Sequence, residues 1–151
     1  MLTRITVPLL AAAVIIFFAC GPHARAVDTP SRAATKKIAG VVSTLNVDTS
    51  ESGVHFTLAV QNGTNKQVEL DFPNGRTHDF VVLDESGREV WRWSASRMFT
   101  QAVQNRLLDS RDSVVYEERW NAPAGTGKFT VVAVLNSKNY PMEKRVDFAL
   151  Q

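Results

Sequence analysis

Between Val54 and Val60 the apolar residues Val54, Phe56, Leu58 and Val60 alternate with His55, Thr57 and Ala59. A period of two directs one set of side chains to a core and the other to solvent, which is the pattern of a half-buried strand. The same alternation returns at Val68, Leu70 and Phe72, between Glu69 and Asp71, and again at Val114, Tyr116, Glu118 and Trp120. Runs rich in β-branched and aromatic residues cover Val41 to Val47, His78 to Asp84 and Glu89 to Ser94, and Val103 to Leu108 and Arg145 to Leu150 are read as further short strands. Lys128 to Leu135 is apolar on both faces and is expected to be a central strand. Turn clusters such as Thr49 to Gly53, Asn62 to Lys66, Asp84 to Gly87 and Asp109 to Asp112 punctuate these runs about every 8 to 12 residues, the spacing of a sandwich or barrel. The reading is all-β, with eight or nine strands and no substantial helix. Val54 to Val60 and Val68 to Phe72 are expected to pair as a hairpin around Asn62-Gly63. Trp91 and Trp93, two residues apart in one strand, are expected to share a sheet face. Ala95 to Ala102 lacks alternation and is expected to cross over or form a helical turn.

Cys20 is the only cysteine, so no disulfide can form within the chain. The core must be stable without one, which a domain of roughly 110 residues achieves by burying on the order of two-thirds of its unfolded surface. The balance of 17 basic and 15 acidic side chains gives a formal charge of +2 with the signs interspersed, so no basic stripe marks a nucleic-acid partner. A monomer is expected.

The first 19 residues have the form of a signal peptide: Arg4 is followed by an apolar run from Val7 to Ala19 that is too short for a comfortable membrane span. Two cleavage sites compete. Phe17-Phe18-Ala19-Cys20 resembles a bacterial lipobox, which would leave Cys20 as a lipidated first residue and anchor the protein to a membrane; Ala24-Arg25-Ala26 is an A-x-A site that would free it. The lipobox is preferred because the sole cysteine ends the apolar run beside a small residue. Residues 20–37 then read as a flexible tether, residues 38–151 as the β-domain, and the cell envelope as the location, with a periplasmic or secreted soluble form as the alternative.

Chemistry-bearing patterns are sparse. Asn121 to Thr130 contains Gly127-Lys128 but has Ala122 and Phe129 where a phosphate-binding loop needs glycine and a hydroxyl residue. His23, His55 and His78 are scattered, so neither a metal site nor a cofactor is expected. Ser94 lies outside any nucleophile elbow, and no catalytic residue is assigned. Asp79 is read as structural, accepting turn amides or pairing with Arg76. Trp91, Trp93 and Trp120 are read chiefly as core.

Phe72-Pro73-Asn74-Gly75-Arg76, Asp79-Phe80-Val81-Val82, Asp84 with Gly87, Val90-Trp91-Arg92-Trp93-Ser94 and Phe99-Thr100-Gln101 together resemble the BsuPI family, small domains named after an intracellular proteinase inhibitor of bacilli. The match extends more loosely from about Val54 to Leu135. The resemblance implies an immunoglobulin-like antiparallel β-sandwich and a non-catalytic protein that blocks a subtilisin-like serine protease. An inhibitor of this kind needs an exposed, stiffened loop that enters the protease cleft. Ser94 to Thr100 offers Arg97, Met98 and Phe99, and Phe72 to Thr77 offers Asn74 and Arg76. The alternative is an envelope interaction or structural module without inhibitory activity.

Overall fold

A computed structural model describes residues 40–50, 53–123 and 126–151. The segments read as signal and tether, Cys20 and His23 included, lie outside the described residues. Nine strands occur among the described residues: β1 Val41–Ser50, β2 Gly53–Asn62, β3 Val68–Phe72, β4 His78–Asp84, β5 Glu89–Arg92, β6 Gln104–Leu108, β7 Ser113–Trp120, β8 Gly127–Leu135 and β9 Met142–Leu150. They form a three-stranded sheet β1-β2-β7, a four-stranded sheet β5-β4-β8-β9 and a two-stranded ribbon β3-β6, with every pairing antiparallel. The protein is an all-β sandwich. The antiparallel sheets of three and four strands and the separate β3-β6 ribbon agree with the expected all-β sandwich.

Aromatic rings join the two larger sheets. Phe56 of β2 is fully buried, with ring centroids 5.8 Å from Phe80 of β4, 5.9 Å from Trp91 of β5 and 5.9 Å from Phe148 of β9. Trp120 of β7 meets Phe129 edge-on at 5.3 Å. The alternation seen in β2 is realised in full: Val54, Phe56, Leu58 and Val60 are all at most 1% exposed. Each such side chain contributes about 1.5–3 kcal/mol by leaving water. Strand β8 lies between β4 and β9, and Val131, Val132 and Ala133 are all buried, so both of its faces are covered.

Two expectations about local structure are corrected. Strands β2 and β3 do not pair with each other; β2 lies between β1 and β7, and β3 pairs with β6. The cause is Asn62, whose buried side-chain amide donates to the carbonyls of Lys66, Leu108 and Asp109 while its backbone N–H donates to Asp112. These bonds tie the turn to the far end of β6, so the chain crosses over at Asn62 instead of folding back. The run Glu89 to Ser94 also ends early as a strand. Pairing stops at Arg92, and Trp93–Ser96 form a single 3-10 turn. Trp91 and Trp93 therefore do not share a face by strand alternation, although both pack on the common core.

Candidate functional site

Asp79, on β4, explains why the chain turns after Arg92. Its carboxylate is 3% exposed and accepts the Ser94 hydroxyl at 2.6 Å, the Ser94 N–H at 3.2 Å and the Phe80 N–H at 3.0 Å. The Arg92 guanidinium donates to it at 3.2 Å. Arg76, the partner expected from sequence, approaches only to 4.0 Å with its side chain nearly half exposed. The amide that Asp79 captures is thus that of Ser94, and capturing it fixes the start of the segment that follows. The Arg97 N–H donates to the Ser94 carbonyl at 3.2 Å and closes the turn.

From there the loop runs through the candidate contact residues, and the structure treats them differently. Arg97 has extended backbone (φ −120°, ψ 148°). Its guanidinium lies over the Trp93 ring, 4.6 Å from the centroid, and 3.5 Å from a carboxylate oxygen of Glu118 on β7. Met98 is completely exposed. Phe99 is half-buried, with its ring 5.4 Å from Trp93. The Thr100 carbonyl accepts the Gly75 N–H at 2.8 Å. The loop therefore presents one fully exposed side chain between two that rest on Trp93, Arg97 half exposed and Phe99 half-buried.

That last bond unites two segments that sequence treats as separate candidates. Gly75 lies so close to Thr100 that a Cβ at position 75 would come within 2.7 Å of the Thr100 methyl carbon. The 73–76 turn is braced from its own side: Asn74 Oδ1 accepts the Arg76 N–H at 2.9 Å, and Asn136 donates through its side chain to the Arg76 carbonyl at 3.0 Å. Asn74 and Arg76 also border an open depression of about 550 Å³ that continues to Asn136, Lys138 and Met142.

Beneath the loop lies a cluster that sequence reading did not assemble. The His78 imidazole is stacked between Trp93 and Tyr116, each ring centroid 4.3 Å away, and its Nε2 is 3.5 Å from Glu118. Burial pushes the His78 pKa down to about 4, against the raising effect of Asp79, with Arg97 lowering it further. Burial also raises the Glu118 pKa, while Arg97 pulls it back. At neutral pH, His78 is therefore uncharged, and the nearest cation to Glu118 is Arg97. One sequence signal pointed here: Glu118 falls on the same alternating face as Tyr116 and Trp120, so a carboxylate stands on an aromatic, inward-facing stripe. Trp93 and Trp120 are buried, while Trp91 is half-buried against the core. Among the described residues, no group of three or more His, Cys, Asp or Glu side chains could hold a metal ion.

The sequence model of the BsuPI family, described as intracellular proteinase inhibitor, matches residues 41–140. Among solved structures, a crystal structure of a protein from Bordetella pertussis designated ApaA is similar, with 16% identity, a TM-score of 0.39 and coverage of 73% of this chain and 89% of that one. A structural-genomics X-ray structure designated SoR45 is similar at 12% identity and a TM-score of 0.32, covering 73% of this chain and 82% of that one. No curated protein matches the chain. The family's description as intracellular overturns the expectation of an exported, lipid-anchored envelope protein. The β-sandwich of residues 41–140, with its Asp79-centred turn and paired loops, belongs to the BsuPI family of intracellular proteinase inhibitors.

Proposed function

We propose that this proteinase-inhibitor-family protein blocks a subtilisin-like serine protease without catalysis, by inserting the Arg97–Thr100 loop into the protease cleft, with the 73–76 turn as its buttress. The observation that carries the reading is the contrast along three consecutive residues: Met98 is fully exposed while Arg97 and Phe99 are each held against Trp93. A loop fixed before binding loses little freedom when it docks. At about 0.5–1.5 kcal/mol per side chain ordered in advance, the two anchors together favour the complex by about 1–3 kcal/mol. The Gly75–Thr100 bond resists opening of the loop, which in a bound inhibitor slows cleavage.

Replacing residues 97–100 by Gly-Ser-Gly-Ser in the full chain tests the reading. The expected result is a loss of inhibition of a subtilisin-like protease on the order of 100-fold, since both anchors and the docking side chain go together. Unchanged inhibition would assign the contact to another surface. A protein-interaction module without inhibitory activity is the second reading. Exposed apolar side chains on and beside β6, Val103 (66% exposed) and Leu107 (57%), favour it. Binding of a non-protease partner, lost when both are changed to serine, would support it.

A further inference from the structure

We infer that Met98, and not the neighbouring Arg97, is the residue that enters the protease's primary specificity pocket, because Trp93 and Glu118 withhold the Arg97 side chain; the inference rests on the reading of Arg97–Thr100 as the reactive loop. By sequence alone either residue qualifies, and the two imply different partners. An arginine requires a pocket with a carboxylate at its base, as in trypsin-like enzymes, whereas a methionine fits a neutral slot that takes a long unbranched apolar chain. The geometry separates them. The Arg97 guanidinium is stacked 4.6 Å from the centre of the Trp93 ring and has Glu118 at 3.5 Å on β7, a strand of the opposite sheet. Although the Arg97 side chain is half exposed, to enter a pocket it must give up both contacts and leave the Glu118 carboxylate, which is only 18% exposed, without its cation. Met98 gives up nothing, because its side chain has no contact to lose.

Glu118 and Trp93 are therefore specificity-setting residues that act through Arg97, although neither touches the protease. The partner class is a serine protease with a neutral apolar pocket. Enzymes with an acidic pocket are disfavoured because the loop offers them methionine while its arginine rests on Trp93 and Glu118.

The test titrates subtilisin and trypsin with full-chain wild type, Met98→Arg, Arg97→Ala, Glu118→Gln and the Gly-Ser loop replacement, and locates the cut peptide bond by mass spectrometry after long incubation. Wild type is expected to inhibit subtilisin and not trypsin, with slow cleavage confined to the bond after Met98. Met98→Arg is expected to lose subtilisin inhibition by about 100-fold and to gain trypsin inhibition, since a charge in a neutral pocket is strongly disfavoured. Glu118→Gln is expected to let trypsin nick the chain after Arg97 about ten-fold faster at unchanged Tm, a readout that general loosening would not confine to one bond. Trypsin inhibition by wild type that disappears in Arg97→Ala overturns the inference. So does loop-dependent subtilisin inhibition that is indifferent to residue 98. If the loop replacement itself inhibits like wild type, the reactive-loop reading falls, and this inference with it.

Discussion

Removing the Asp79 carboxylate is expected to be among the most damaging single changes outside the apolar core. Asp79→Ala strips the acceptor from the Ser94 hydroxyl, the Ser94 and Phe80 N–H groups and one Arg92 nitrogen. Arg92 keeps Glu89 as a partner, so its loss is partial. The Ser94 donors have no such substitute and lie at a residue only 9% exposed. The two stranded Ser94 donors cost about 1–3 kcal/mol each, and the partial loss at Arg92 adds about 1 kcal/mol, so the sum is about 3–7 kcal/mol. For a domain of this size, Tm falls by about 4 °C per kcal/mol, hence by about 12–28 °C. Asp79→Asn retains one carbonyl oxygen for the two backbone N–H groups and is expected to cost about 1–2 kcal/mol. Urea unfolding followed by tryptophan fluorescence measures both. A cost below about 1 kcal/mol for Asp79→Ala, at unchanged m-value, would refute the claim that this carboxylate holds the turn. Equal costs for Ala and Asn would show that charge matters more than an oxygen that accepts from the two backbone N–H groups. Because the same turn positions Arg97, Asp79→Ala is also expected to weaken inhibition at temperatures where the domain is still folded.

Acid is expected to destabilise the protein through His78. Its folded pKa of about 4 lies below the usual 6.5, so between those values the unfolded chain binds more protons. Stability therefore falls as pH drops from about 6.5 to 4, by at most about 3 kcal/mol. Glu118, raised by burial, acts in the opposite direction over its own range. His78→Phe, which keeps a ring between Trp93 and Tyr116, is expected to flatten that part of the curve in thermal melts from pH 7 to 4. Phe56→Ala is expected to cost about 3–5 kcal/mol in urea unfolding, since the fully buried ring touches both sheets. Gly75→Ala would drive a methyl against Thr100 and is expected to weaken inhibition at a stability cost of about 1–3 kcal/mol. Hydrogen peroxide is expected to convert fully exposed Met98 to its sulfoxide faster than half-buried Met142, as read by peptide mass, with inhibition falling in step.

The strands were legible wherever alternation was clean, as in β2 and β7, because a period of two records which side chains face the core. What alternation cannot record is which strand pairs with which. That is why β2 and β3 looked like a hairpin until the three side-chain bonds of Asn62, two of them to residues beyond position 107, came into view. The end of β5 was hidden for the same reason. Nothing near Trp93 announces a turn, and the group that imposes it, Asp79, lies a strand away. At the site, both loops were recognisable as candidates from their residue types. Their union through Gly75 and Thr100, and the contact of Arg97 with Glu118, depend on residues 20 to 25 positions apart in sequence. Glu118 on an aromatic stripe was the one local sign of that capture.

The central claim is that a rigid loop centred on Met98 blocks a serine protease. Stoichiometric titration of subtilisin with the full chain, following residual activity together with intactness of the added protein, tests it most directly. The account predicts inhibition that saturates near one inhibitor per enzyme, with the chain uncut or nicked only within residues 97–100. Undiminished subtilisin activity at a large excess of intact, folded protein would contradict it.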